Sequence, residues 1–259
     1  MIDEQVLKRS REEHMESTEK KNRKLGKLAL VLDRRAKESS METEQALTLL
    51  ASALGGPKSH VNELVGVLVQ LIRWQEDESF GYAQFVAEHS VSVAESLGLP
   101  EEEINDVRLA SMLHNLGLLS LPEDLRKKSI HRFTPEERMQ YEQHSIAAEN
   151  ILKNVSGMST TAKIIRSQHE YVNGSGFPDQ LVHNDIPLPS KIINVVSDYH
   201  DIFQGRLEKN ISGAEDARRF ISDNSGKRYD SVVVKVFLDL LDDSSMHVIR
   251  REIKSASLL

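Results

Sequence analysis

The sequence predicts an all-α protein, a helical bundle over residues 77–259 preceded by a smaller N-terminal helical region over 1–76. Three observations predict it. Apolar residues recur at helical spacing, as in Val61, Leu64, Val65, Leu68 and Ile72. Helix starts are written in strong form, by Pro100 before Glu101, Glu102 and Glu103 and by Thr134-Pro135-Glu136-Glu137. No internal repeat and no convincing strand appears; residues 231–241 have a strand-like composition but the length of a helix.

Residues 1–40 carry 11 Lys/Arg and 8 Asp/Glu, with few apolar residues before Leu25, Leu28, Leu30, Val31 and Leu32. This reads as a solvated helix, and Lys20, Lys21, Arg23 and Lys24 read as part of its wet face. Residues 43–75 read as two helices broken at Gly55-Gly56-Pro57. The second of them offers an apolar stripe suited to a core or a partner helix, so a homodimer is an expectation from this stripe. The polar run Glu76-Asp77-Glu78-Ser79 marks the boundary. Glutamates after Pro100 sit at the positive end of a helix dipole. From Thr134 a helix is expected through Leu152. Asn173-Gly174-Ser175-Gly176-Phe177-Pro178 must be a loop, and Pro187 and Pro189 precede an apolar helix ending near Phe203.

Composition narrows the chemistry. The net charge is −7, which gives no general case for nucleic-acid binding. With no cysteine, disulfides and thiolate metal sites are excluded, and a metal would rely on His and carboxylates. No apolar run reaches the roughly 18 residues of a membrane span, and the charged N-terminus lacks a secretory apolar segment. A cytoplasmic protein is expected.

Histidines then stand out. His89 shares a helix face with Val86 and Val93, and His114 ends the run Val107, Ala110, Leu113. His144 falls on a face with Tyr141, Ala148 and Ile151, and His169 follows Ala162 and Ile165. Asp198 sits among Ile192, Ile193, Val195 and Val196. One inward histidine is ordinarily a hydrogen-bonded core residue. Four of them with an inward aspartate point to a site, because a buried carboxylate is costly unless paired or metal-bound.

Leu113-His114-Asn115-Leu116-Gly117-Leu118 and Gln168-His169-Glu170-Tyr171-Val172-Asn173-Gly174-Ser175-Gly176-Phe177-Pro178 together resemble the two signatures of the HD-GYP family. The likeness extends over roughly residues 85–240. It implies a helical HD-domain-like bundle whose active members hydrolyse cyclic di-GMP at a metal centre. Carried over residue by residue, it implies metal ligands at His89, His114, His144, His169 and Asp198. It also implies ligand contacts from Gly174, Gly176 and Phe177 in the loop and from Arg206 and Lys209 downstream.

The departures fall on chemistry-bearing positions. Asn115 stands where the family has the aspartate that bridges two metals, and Gln168 where it has a histidine. A bridging carboxylate offsets repulsion between cations about 3.5–4 Å apart, and a neutral carboxamide does not. Leu118 replaces a phosphate-binding lysine, and an apolar side chain supplies no charged hydrogen bond. Asn173 replaces an aspartate; Phe177 replaces a tyrosine. Arg206-Leu207-Glu208-Lys209 keeps two basic residues without the Pro-Tyr between them. His200 replaces a tyrosine but, two residues from Asp198 on a helix, points elsewhere. His14, His60, His131, His183 and His247 have no partner pattern and are read as surface residues.

The resemblance with its losses implies a degenerate signalling module that binds cyclic di-GMP or a signalling protein and hydrolyses poorly. It implies one divalent transition metal at most (Fe, Mn or Zn), on His89, His114 and Asp198. Two other readings remain: a phosphodiesterase with a divergent metal site, and a helical adaptor working through residues 1–75.

Overall fold

The computed structural model describes residues 61–76, 82–153 and 155–242. The expected helices before residue 61, the Gly55-Gly56-Pro57 break and His14, His60 and His247 lie outside them. The described residues are helical, with two isolated bridges, Asn173 to Val182 and Ser225 to Tyr229, and no strand among them.

Among the described residues, nine α-helices are labelled in chain order. They are α1 (Val61–Glu76), α2 (Tyr82–Ser96), α3 (Glu101–Leu113), α4 (Glu123–Arg126), α5 (Pro135–Glu142), α6 (His144–Leu152), α7 (Ser159–Arg166), α8 (Leu188–Phe203) and α9 (Ala214–Asp223). A further helix covers residues 231–242, where length outweighs strand-like composition as expected. A 3₁₀ helix, Leu116–Ser120, links α3 to α4.

Local chemistry explains the starts. Glu101, Glu102 and Glu103 occupy the first turn of α3. At α5 both halves of a capping box form: Glu137 N–H donates to Thr134 Oγ1 (3.2 Å) and Thr134 N–H to Glu137 Oε2 (2.7 Å). The helix expected to run from there through Leu152 is instead two, parted at Gln143. The second therefore begins at His144, in the packed interior.

Helix α8 is the axis of the bundle. It packs against α2, α3 and α9, while α2 lies along α3 and α6 along α7. Ten of its sixteen residues are buried, including Ile192, Ile193, Val195, Val196 and Ile202. A helix apolar nearly all round belongs at the centre of a domain, and that is where Asp198 rides. Val65, Leu68 and Ile72 of α1 join the same core as Val107, Leu113 and Val196. At these three positions the α1 stripe is covered by the chain's own helices.

Candidate functional site

Two histidines, His144 and His169, meet where α6 and the segment after α7 converge, and His114 at the end of α3 lines the same cleft as His169. His114, 2% exposed, closes α3; His144 opens α6; His169 lies three residues beyond α7. Two backbone approaches fix them. A Cβ on Gly117 would sit 1.8 Å from the His144 carbonyl oxygen, so only glycine lets the 3₁₀ turn touch α6. A Cβ on Gly176 would sit 2.4 Å from the His169 carbonyl oxygen, so the glycine loop lies flat behind His169.

The ring protons can be assigned by their partners. His114 Nδ1 lies 2.6 Å from the Ser111 carbonyl and His144 Nδ1 2.6 Å from that of Tyr141. A carbonyl only accepts, so each Nδ1 carries the proton and each Nε2 is a bare lone pair. His144 Nε2 and His169 Nε2 are 3.1 Å apart, and the Gln168 amide nitrogen lies 3.3 Å from the same His169 nitrogen. His114 Nε2 is buried and without a hydrogen-bond partner. Burial holds both His114 and His144 neutral, lowering each from 6.5 to about 4, and lowers His169 in the same direction.

Gln168, 1% exposed, turns its amide nitrogen toward the histidines, 3.3 Å from His169 Nε2. Its Nε2 donates to the His114 carbonyl (2.8 Å), tying the end of α3 to the loop after α7. Asn115 is buried and lines the same cleft as His114 and His169. Phe177 stacks on His169, centroids 4.8 Å apart, so its observed role is to hold that ring. Gly174 takes φ +77°, and exposed Asn173 closes the turn by accepting from Ser175 N (3.0 Å). Neither contact needs the aspartate of the family pattern.

Asp198 has a separate neighbourhood. Its Oδ2 accepts from Tyr229 Oη (2.8 Å) and Arg228 Nη2 (3.1 Å), with Tyr171 Oη at 3.5 Å. The Arg228 guanidinium also bonds Tyr171 Oη and lies 4.1 Å over that ring's centroid. Burial raises the Asp198 carboxyl, and the cation beside it pulls the other way. His89 likewise stands apart, its Nδ1 3.0 Å from the Phe85 carbonyl and its ring stacked on Phe85 at 4.0 Å. His200 stacks on Tyr82 at 4.3 Å, not on a ligand position.

The expected ligand set therefore does not converge. His144 and His169 come together beside the cleft that His114 also lines, whereas His89 is held by Phe85 and Asp198 by Arg228. Among the described residues no three His, Asp or Glu side chains stand close enough to share a metal ion. A two-cation centre does not fit this arrangement: the nitrogens are present, but Asn115 is neutral and the Asp198 charge is already balanced. The expected single-ion set of His89, His114 and Asp198 is likewise dispersed.

A cleft opens beside the histidines, lined among others by His114, His169, Leu118, Tyr141, Arg126 and Arg206. Leu118 indeed faces the cleft where a lysine was missed. Arg206 lines it too, its Nε 4.0 Å from Asp201 Oδ1, whereas exposed Lys209 does not. His131 is half-buried at the rim of that region, and His183 is exposed as expected.

Comparison with known proteins decides the family. The HD domain model matches residues 66–233. The chain belongs to the HD domain family. It is 31% identical over 193 residues, 73% of its length and 52% of the relative's, to a cyclic di-GMP phosphodiesterase of Thermotoga maritima. It is 28% identical over 152 residues to a 3'3'-cGAMP-specific phosphodiesterase of Vibrio cholerae, covering 58% of the chain and 35% of that protein. The chain spans about half the length, or less, of these curated relatives. Among solved structures, Bd1817, an HDG"Y"P protein from Bdellovibrio bacteriovorus, superposes with TM-score 0.54 at 15% identity, covering 84% of this chain and 70% of that one. That likeness concerns the fold.

Within this HD domain, sequence reasoning missed Arg228, Tyr229, Tyr171 and Glu170. Glu170 is 2% exposed and its carboxylate accepts from Asp179 N (2.6 Å) and Leu181 N (3.0 Å), pinning the glycine loop. A signal was there for the first three: an inward aspartate demands a partner, and Arg228-Tyr229 is the basic–aromatic pair that follows the break at Gly226.

Proposed function

We propose that the chain is a degenerate HD-GYP-like signalling module that binds cyclic di-GMP and turns it over poorly or not at all. The observation that carries this reading is the fate of the carboxylates. Phosphodiester hydrolysis on this scaffold needs cations to stabilise a pentacoordinate phosphorus bearing added negative charge. Here the bridging position is Asn115, and the inward aspartate of the family pattern, Asp198, is satisfied by Arg228, Tyr229 and Tyr171. The names of the relatives support cyclic dinucleotides as the ligand class. Arg206 in the cleft supplies positive charge for a phosphodiester, and Leu118 removes a second contact. Docking of a signalling protein, or pairing of two copies, is the further output of such a module.

Calorimetric titration with cyclic di-GMP, run alongside chromatography of the nucleotide in the presence of Mn²⁺ or Fe²⁺, tests the reading. Saturable binding with the nucleotide left intact is expected. Turnover of about 1 s⁻¹ or faster, the ordinary range of enzymes, would contradict it.

One observation favours a second reading, a phosphodiesterase with a divergent metal site. The bare Nε2 atoms of His114 and His144 point inward, each set by a backbone carbonyl on Nδ1, which is how metal-binding imidazoles are oriented. On that reading Asn115→Asp with Gln168→His raises an existing activity. If the wild type and the folded double variant are both inert, it is lost.

A further inference from the structure

We propose that Arg228 is the resident cation of Asp198 and that it excludes a divalent metal ion from this carboxylate. The inference deepens the non-hydrolytic reading, and depends on it only for the functional consequence.

The argument begins with charge. Asp198 is 3% exposed, on the helix that packs against α2, α3 and α9. A carboxylate so placed needs a counter-charge within a few ångströms. Arg228 provides it through Nη2 at 3.1 Å, in a side chain only 19% exposed. The guanidinium is itself held from several directions. Tyr171 offers both its hydroxyl and its ring face, the Phe220 ring lies 5.7 Å from Cζ, and Glu208 Oε1 approaches Nη1 at 3.7 Å. This is a fixed planar cation in a fitted socket.

Geometry and electrostatics then oppose a metal. Oδ2 already has two close donors, Tyr229 Oη at 2.8 Å and Arg228 at 3.1 Å. A divalent ion on this carboxylate would sit beside a largely buried positive charge held 3.1 Å from Oδ2. A guanidinium cannot shed its proton to relieve that repulsion, as a histidine or lysine can. The Glu208 contact adds a second consequence. It links the socket to the 206–209 segment, where Arg206 lines the cleft, so losing the cation also loosens that segment.

Manganese binding to the full chain, measured by calorimetry and by metal retained after dialysis, tests the proposal. Arg228→Gln keeps the side-chain length and a donor but removes the charge, whereas Arg228→Lys keeps the charge. The Gln variant should bind Mn²⁺ at least about tenfold tighter than wild type, the usual size of effects from groups that hold a metal ligand. The Lys variant should not, and adding Asp198→Asn to the Gln variant should abolish the gain. A gain that survives Asp198→Asn, or no gain in a folded Gln variant, would overturn the idea. If the Gln variant does not fold, wild-type crystals grown with manganese decide it by anomalous scattering. Manganese on Asp198 sinks the proposal, and Asp198 still paired with Arg228 without a metal peak upholds it. Turnover of cyclic di-GMP by a wild type whose Asp198 remains paired would defeat the non-hydrolytic reading and leave this one standing.

Discussion

His114 and His144 are buried bases kept neutral by their surroundings, and that makes them liabilities in acid. Each is lowered from 6.5 to about 4 by burial, with the neighbouring imidazoles of His144 and His200 facing His114 as well. The unfolded chain therefore takes up protons first. Stability is fully present above pH 6.5 and is lost as pH falls toward about 4, by on the order of 3 kcal/mol for each histidine. Thermal melts across that window check this, and His144→Gln should flatten the slope. A melt insensitive to pH between 6.5 and 4 would contradict the proton assignment. Asp198 is the counterpart on the acid side. Replacing it with alanine leaves the Arg228 guanidinium buried without its counter-charge, which costs about 3–5 kcal/mol. Denaturant titration of Asp198→Ala against Asp198→Asn measures it, the asparagine being expected to retain part of the loss through its remaining acceptor.

At the scale of elements, two glycines set how closely the site's backbones approach. Gly117→Ala puts a methyl carbon 1.8 Å from the His144 carbonyl oxygen, and Gly176→Ala puts one 2.4 Å from that of His169. Backbone must move in both, so losses of about 1–3 kcal/mol are expected, with weaker nucleotide binding because the histidine pair shifts. Gly66→Ala, where a Cβ meets nothing, should lose nothing and is the control. These elements were unevenly legible. The Thr134–Glu137 cap, the α3 start and the loop at Asn173–Pro178 followed from local rules, because each depends on residues within one turn. The break at Gln143 was not legible: no glycine or proline marks it, and it is packing of α6 on α7 and the 3₁₀ turn that sets the new helix. Gln168 stands where the family pattern has a histidine, and its amide ties the end of α3 to the segment after α7, a contact over 54 positions that no local pattern encodes.

Across the whole molecule, the all-α fold was legible from periodicity, and the inward faces of His114, His144, His169 and Asp198 were too. Which of them meet was not, because that depends on helix crossing. Nothing near Asp198 in the chain announces Arg228, 30 residues away. The N-terminal boundary shows the same limit. A polar run at 76–79 separates α1 in sequence, yet Leu68 is fully buried in the common core. Leu68→Ala should therefore destabilise the whole bundle by about 2–5 kcal/mol in a single transition; a small early transition with the rest unchanged would make α1 a separate unit. On the non-hydrolytic reading, this HD domain holds its site together without a two-cation centre. Elemental mass spectrometry of the protein, purified after expression with iron and manganese supplied, tests it most directly. The account predicts at most one ion per chain, and two tightly held ions per chain would contradict it.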